Sequence, residues 1–363
     1  MTMKHLAAAL AALALALPAV AQTSQKISAG KSNEYGLVYS LPKTVLDIYI
    51  EAEITDERPG EFYNYARRHL GITDAITAPR SSAVVKDVII VPRGVADPDN
   101  RWVAQFKNGS SVFMNLTPEN LPLSVNTDTK APVTQPAIPV ARPAQPSPLD
   151  SPEARQAVTQ DMARSSATSK KAELAAQRIF ELRETRSDIL SGQAENPPAD
   201  GNAMKLVLDN LAAQEAALTA MFAGVRQTRT EVRRYSFEPD STDVAGEVVA
   251  RLSAVDGLIE ADNLAGSPIT LDISVLERGE LPVDEKGVTK TFPKGGVAYN
   301  IPGTALVSVS WQGRTVASAE VPVAQLGVVF GLNPTLFTDK KEPYSLIYDP
   351  TTGAAVKLEP AAQ

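Results

Sequence analysis

Eight prolines between Thr117 and Pro152 (Pro118, Pro122, Pro132, Pro136, Pro139, Pro143, Pro146 and Pro148) decide how this chain can be divided. Proline fixes φ and has no backbone N–H, so regular helix and interior strand are disfavoured throughout the segment. Residues 118–151 therefore read as an extended, semi-rigid linker. Pro136-Ala-Ile-Pro139 has the spacing of a polyproline ligand, but the spacer reading is the one preferred.

On the N-terminal side, residues 35–117 read as a β-rich domain with one short helix. Ile48, Ile50, Ala52 and Ile54 alternate with Asp47, Tyr49, Glu51 and Glu53, the period of a half-buried strand with its acids on the wet face. Pro59-Gly60 opens a short helix carrying Phe62, Tyr65, Ala66, His69 and Leu70 on one side, closed by Gly71. Val84 to Val91 and Trp102 to Phe106 read as two further strands, separated by the turn Asp97-Pro98-Asp99-Asn100.

Beyond the linker the period changes. Ser151-Pro152-Glu153 supplies a capping hydroxyl, proline at the first helical position and an acid that suits the helix dipole. Ala172, Ala175, Ile179, Leu182, Arg186 and Ile189 then recur every three or four residues. After Gly192 and the breaker Pro197-Pro198, so do Met204, Leu208, Leu211, Glu215, Leu218 and Phe222. Two such stripes over 152–225 predict an antiparallel helical hairpin. Each stripe holds one charged intruder, Arg186 and Glu215. In that register they fall about 10 Å apart at a rise of ~1.5 Å per residue. This spacing predicts no direct pair, with Arg178 or Arg183 as the partner of Glu215 and a seam open to water at its edges.

Residues 226–363 return to β. Thr230 to Phe237, Glu247 to Leu252, Ile269 to Leu276 and Ala298 to Ile301 read as short strands. Val307 to Val323 reads as a hairpin turned by Gln312-Gly313, and Tyr344 to Leu358 as another turned by Asp349 to Gly353. The fold class is α+β: two β-rich lobes, the C-terminal one sandwich-like, with an intervening antiparallel helical hairpin.

Residues 1–21 have the form of a secretory signal peptide: Lys4, an apolar run from Leu6 to Leu17, and the A-x-A site Ala19-Val20-Ala21. The run falls short of the roughly 20 residues a spanning helix needs. Cleavage after Ala21 would leave a periplasmic or extracellular chain that does not span the membrane, with a polar, loose stretch at 22–34. Loss of Lys4 takes the formal charge from −7 to −8, which argues against a nucleic-acid partner. The chain has no cysteine, so thiol nucleophiles and thiolate metal sites are excluded, and packing alone must hold the fold.

Motifs with chemistry are weak. Gly30-Lys31-Ser32 resembles the end of a phosphate-binding loop, but Gln25 stands where its first glycine belongs. Ser40-Leu-Pro-Lys43 has the S-x-x-K spacing of penicillin-binding enzymes, yet Pro42 breaks the helix that the motif requires. His69 is the single histidine beyond the leader, so no multi-histidine metal site can form. Asp97, Asp99 and Asn100 lack the distant glutamate of a calcium loop and fit an Asx turn. Glu51 and Glu53, with Asp47, are the acids a glycosidase-type pair could draw on. No catalytic, cofactor-binding or metal residue is assigned.

Five segments taken in order resemble a secreted Bacteroidetes family of unknown function, domain of unknown function family 4831. They are Tyr35-Gly-Leu-Val-Tyr-Ser-Leu-Pro-Lys43, Pro59-Gly-Glu-Phe-x-x-Tyr-Ala-x-Arg68, Ser191-Gly192 leading to Asp200-Gly201, Gly295-Gly-Val-Ala-Tyr-Asn-Ile-Pro302 and Val321-Pro-Val-Ala-Gln-Leu-Gly327. The resemblance implies an envelope protein and brings no reaction, ligand or catalytic residue. Asp240-Ser241-Thr242 also fits the short Asp-Ser/Thr-x pattern of O-glycan acceptors that the resemblance brings, a tripeptide that chance supplies often and that leaves modification of Ser241 open. The expectation is a non-enzymatic binding or structural protein of the cell envelope, with an envelope protein or polysaccharide as partner. The alternative is a hydrolase of an envelope polymer working through paired carboxylates.

Overall fold

The computed structural model describes residues 25–28, 37–104, 106, 111–133, 135–196 and 201–361. The expected leader and its expected cut after Ala21, Gly30-Lys31-Ser32 and the Pro197-Pro198 breaker lie outside these residues. The fold is α+β, with three antiparallel sheets and a helical hairpin.

Two strands of unusual length organise it, β2 (Leu37–Arg58) and β3 (Arg80–Ala104). Together with β6 (Val225–Phe237) they form a sheet of order β3-β2-β6. The alternation read in the sequence places Ile48, Ile50, Ala52 and Ile54, all fully buried, on its inner face. That face packs on the sheet made of β7 (Val244–Ser253), β8 (Gly257–Ile259), β9 (Ser267–Glu277), β10 (Val297–Trp311) and β11 (Arg314–Leu332). Leu252, Leu271, Ile273, Val307 and Val323 meet the isoleucines there, forming a sandwich core. The β10–β11 hairpin turns where expected, with positive φ at Gln312 (50°) and Gly313 (73°), the pair of signs a type I′ turn demands.

The third sheet contains β1 (Gln25–Ser28), β4 (Phe113–Leu116), β5 (Pro122–Val125), β12 (Tyr344–Tyr348) and β13 (Ala355–Pro360). It closes a second core over the first residues of β2, with Leu37, Tyr39 and Leu41 against Val297, Ala298 and Tyr348. The hydroxyls of Tyr39 and Tyr348 both donate to the Ala298 carbonyl at 3.0 Å, so two large buried side chains leave no polar atom unpaired.

Strand partners differ from the sequence order of the segments. β2 pairs from Leu46 to Arg58 with β6, and β5 pairs with β12 (Leu346 with Val125), so residues from both sides of the proline segment share two of the three sheets. A half-buried pattern specifies which face of a strand is wet but not which strand lies beside it. The two strands expected at 84–91 and 102–106 are one strand to Ala104. Asp97 to Asn100 are pushed out of it where the register shifts opposite Ser40 and Pro42. Gln25–Ser28, within the stretch expected to be loose, pairs with β4. The proline segment contains β5 and then runs extended along the outer edge of β6, where Arg142 and Thr230 exchange both backbone hydrogen bonds.

The helices are α1 (Ala66–Leu70), α2 (Pro152–Ala157), α3 (Gln160–Arg164), α4 (Thr168–Ser191) and α5 (Asn202–Ala223). Ser151 caps α2 as its sequence suggests, accepting from the Ala154 N–H. Ala172, Ala175, Ile179 and Leu182 of α4 pack with Leu218 and Phe222 of α5. Phe62 and Ala66 join this helical core. At Gly60 a Cβ would stand 2.2 Å from the Met221 carbonyl oxygen, so only glycine lets the chain approach α5.

Candidate functional site

The acids singled out in the sequence lie on the outer face of the β3-β2-β6 sheet. Asp47 was expected to be wet and is not: its side chain is 4% exposed. Register explains the burial. β3 sets Arg93 opposite Val45, while β6 sets Ser236 opposite Asp47 and Arg234 opposite Tyr49. Arg93 donates through Nε (2.7 Å) and Nη2 (3.3 Å), and the Ser236 hydroxyl donates at 2.6 Å. The Arg234 guanidinium stands 3.9 Å away, contributing charge without a hydrogen bond. Burial alone would raise the Asp47 pKa. The hydrogen bonds from Arg93 and Ser236, with the charges of Arg93 and Arg234, outweigh it and hold the carboxyl below its ordinary range.

Glu51 and Glu53 remain half-buried on the same face. They lie side by side, about 7 Å apart along one strand, and Lys86 reaches Glu53 at 3.2 Å. Asp47 sits about 13 Å from Glu51 by the same rise. A glycosidase pair must flank a bond from two sides, whereas these three acids project in parallel from one strand.

Ser40 and Lys43 share the extended β2 and, three residues apart, point to opposite faces. Lys43 is bound to Glu238 at 2.6 Å. The S-x-x-K spacing therefore brings no nucleophile to a base. Asp97 accepts the Asp99 N–H at 3.0 Å, the Asx turn expected, and Asn100 accepts from the Trp102 indole at 2.6 Å. His69 packs beside Tyr65 and Phe222, with ring centroids 6.2 and 6.5 Å away. Among the described residues no group of three or more acids and histidines could hold a metal.

The hairpin carries a second ionic cluster. Glu215 accepts from Arg183 at 2.6 Å, as expected, and also pairs with Arg186 at 2.7 Å, which was excluded from the helical rise alone. The spacing of backbone positions omitted the reach of a long arginine side chain. Arg178 turns instead to Glu181. Glu215 is 14% exposed and the two arginines 44% and 36%, so the seam is partly wet.

Two of the concavities among the described residues bear on the site. One of about 310 Å³ lies beside the looped-out Asp97–Asn100, lined by Ser40, Pro98, Arg101 and Asn120 among others. The other, an open groove of about 500 Å³, follows the outer side of α5 from Arg183 and Ala212 to Gly224. Neither is lined by Asp47, Glu51 or Glu53.

With this geometry in hand, the sequence matches over residues 35–356 the family described as domain of unknown function DUF4831. The chain belongs to that family. No curated protein and no solved structure matches it. The match runs from just before β2 into β13, so the family is defined by the interlaced sheets and the hairpin together. Among the described residues no helix is long and apolar enough to cross a membrane.

Sequence reasoning missed the Asp47 cluster because its parts are distributed over three strands. The one available sign was an aspartate in phase with the wet residues of a strand that carries isoleucines on its other face.

Proposed function

We propose that this member of the family is exported and works in the periplasm or at the outer surface as a non-enzymatic binding or structural protein, with an envelope protein or polysaccharide as partner. Export is supported by the Lys4, Leu6–Leu17 and Ala19-Val20-Ala21 pattern. The observation that carries the non-enzymatic part is the state of Asp47. Its oxygens are taken up by Arg93 and Ser236, and its acidic neighbours line the same open face rather than the far wall of a cleft. The net acidic charge speaks against nucleic acid.

The rival reading, hydrolysis of an envelope polymer, draws on Glu51 and Glu53. Incubating the purified protein with isolated envelope polymers and assaying new reducing ends and released fragments separates the two. Binding without release is expected. Release that disappears in both Glu51→Gln and Glu53→Gln would establish the hydrolase instead. N-terminal analysis of the exported chain should begin at Gln22, and an intact Met1 would remove the basis for localisation.

A further inference from the structure

The connection from β9 to β10 departs from the body of the molecule. Its first end is fastened: the Gly279 N–H donates to the Leu326 carbonyl at 3.1 Å, and Arg278 reaches the Ser241 carbonyl at 2.7 Å. Between Glu280 and Gly295 every hydrogen bond among the described residues is internal to the segment. Asp284 N–H donates to the Val288 carbonyl and Lys290 N–H to the Pro282 carbonyl, the Asp284 carboxylate takes the N–H groups of Lys286 and Val288, and Val283 bridges Thr289. Leu281, Val283 and Val288 are 40%, 55% and 60% exposed, so they do not bind the segment down.

Phe292, itself 38% exposed, is the side chain of the segment whose ring has aromatic partners on the body. The Phe292 ring stacks on Trp102 with centroids 5.0 Å apart and planes 19° from parallel, and meets Phe330 edge-on at 6.3 Å. Its bed is cut to fit a ring: a Cβ on Gly331 would lie 2.8 Å from Phe292, and one on Gly296 would lie 3.2 Å away. Beneath it the Trp102 indole is held in place by Asn100.

We propose that residues 280–295 are a strap whose side-chain latch is Phe292, which opens as a unit while the sandwich stays folded and so gates the aromatic floor of Trp102 and Phe330. Segments tied to the body by few contacts open at lower free energy than core strands, and a single stacked ring is the smallest latch that such a segment can have. Opening would present an apolar surface that the closed form hides.

The test uses the full chain in a Trp311→Phe background, leaving Trp102 as the single tryptophan. In the parent, acrylamide quenching of Trp102 should rise with temperature well below the global melting transition, because opening the strap uncovers the indole. Phe292→Ala should increase that quenching and leave the global melting midpoint in place, whereas Phe292→Tyr should restore the latch. Quenching that rises only together with the global transition would overturn the proposal. So would a Phe292→Ala protein whose global midpoint falls, because Phe292 would then be part of the core.

Discussion

Asp47 and Glu215 are the same device built on two scaffolds: one carboxylate between two arginines. On the sheet, the carboxylate is 4% exposed and its partners come from the two flanking strands, Arg93 at 2.7 Å and Arg234 at 3.9 Å. On the hairpin, Glu215 is 14% exposed, and both partners come from one helix, one turn apart, at 2.6 and 2.7 Å. The hairpin pair has the better distances, yet the sheet pair is the one whose loss should be felt. A short aspartate fixed between two ladders cannot turn to water when a partner is removed. A glutamate at a helical seam can, which is why exposed ion pairs contribute little.

This contrast can be broken in four ways. The largest effect belongs to the frame that holds Glu215: Leu182, 1% exposed, faces α5, and Leu182→Ala should cost about 2–5 kcal/mol in a denaturant melt. No change would mean that the seam does not hold the helices together. Asp47→Ala should follow at ~1.5–3 kcal/mol, the range for hydrogen bonds to a charged group, since Ser236 and Arg93 lose their acceptor but can reach water. Glu215→Leu should stay within about 1 kcal/mol of the parent. If it proved more damaging than Asp47→Ala, burial would not be what separates the two clusters.

The smallest effect is a dependence on pH. Because Asp47 has a lower pKa folded than unfolded, its ionised form stabilises the fold. That stabilisation is complete above the unfolded value of about 3.9 and is lost as pH falls through the folded one. The stability gap between the parent and Asp47→Asn should therefore be constant near neutrality and narrow below about pH 4. A gap unchanged down to pH 2 would show that the carboxylate acts by shape and not by charge.

Local patterns were legible, and long-range partners were not. The isoleucine alternation of β2, the Gln312-Gly313 turn and the Ser151 cap each depend on residues within a few positions of one another, and all were found. Leu211 was read as a core position from its stripe but is only half-buried, because the tightest packing between α4 and α5 falls nearer Leu218 and Phe222. The proline segment reads as a free spacer, yet it lends its edge to β6 through Arg142. Nothing in its composition shows that β6 has an open edge. The Asp47 cluster needed the registers of two strand pairs at once, information that enters only when residues 47, 93 and 234 are brought together.

The interlacing of the sheets has a consequence in time. β2 has no second neighbour until residues 225–237 exist, and β5 has none on its far side until Leu346 and Ile347 arrive. Pairings that close such long loops form slowly, because the entropy of closure comes before any contact rewards it. A chain emerging from its N-terminus therefore cannot complete the second core until nearly its whole length has been made. Until then the third sheet stands open along β5, and the apolar residues that will fill the second core have no cover from its last strands.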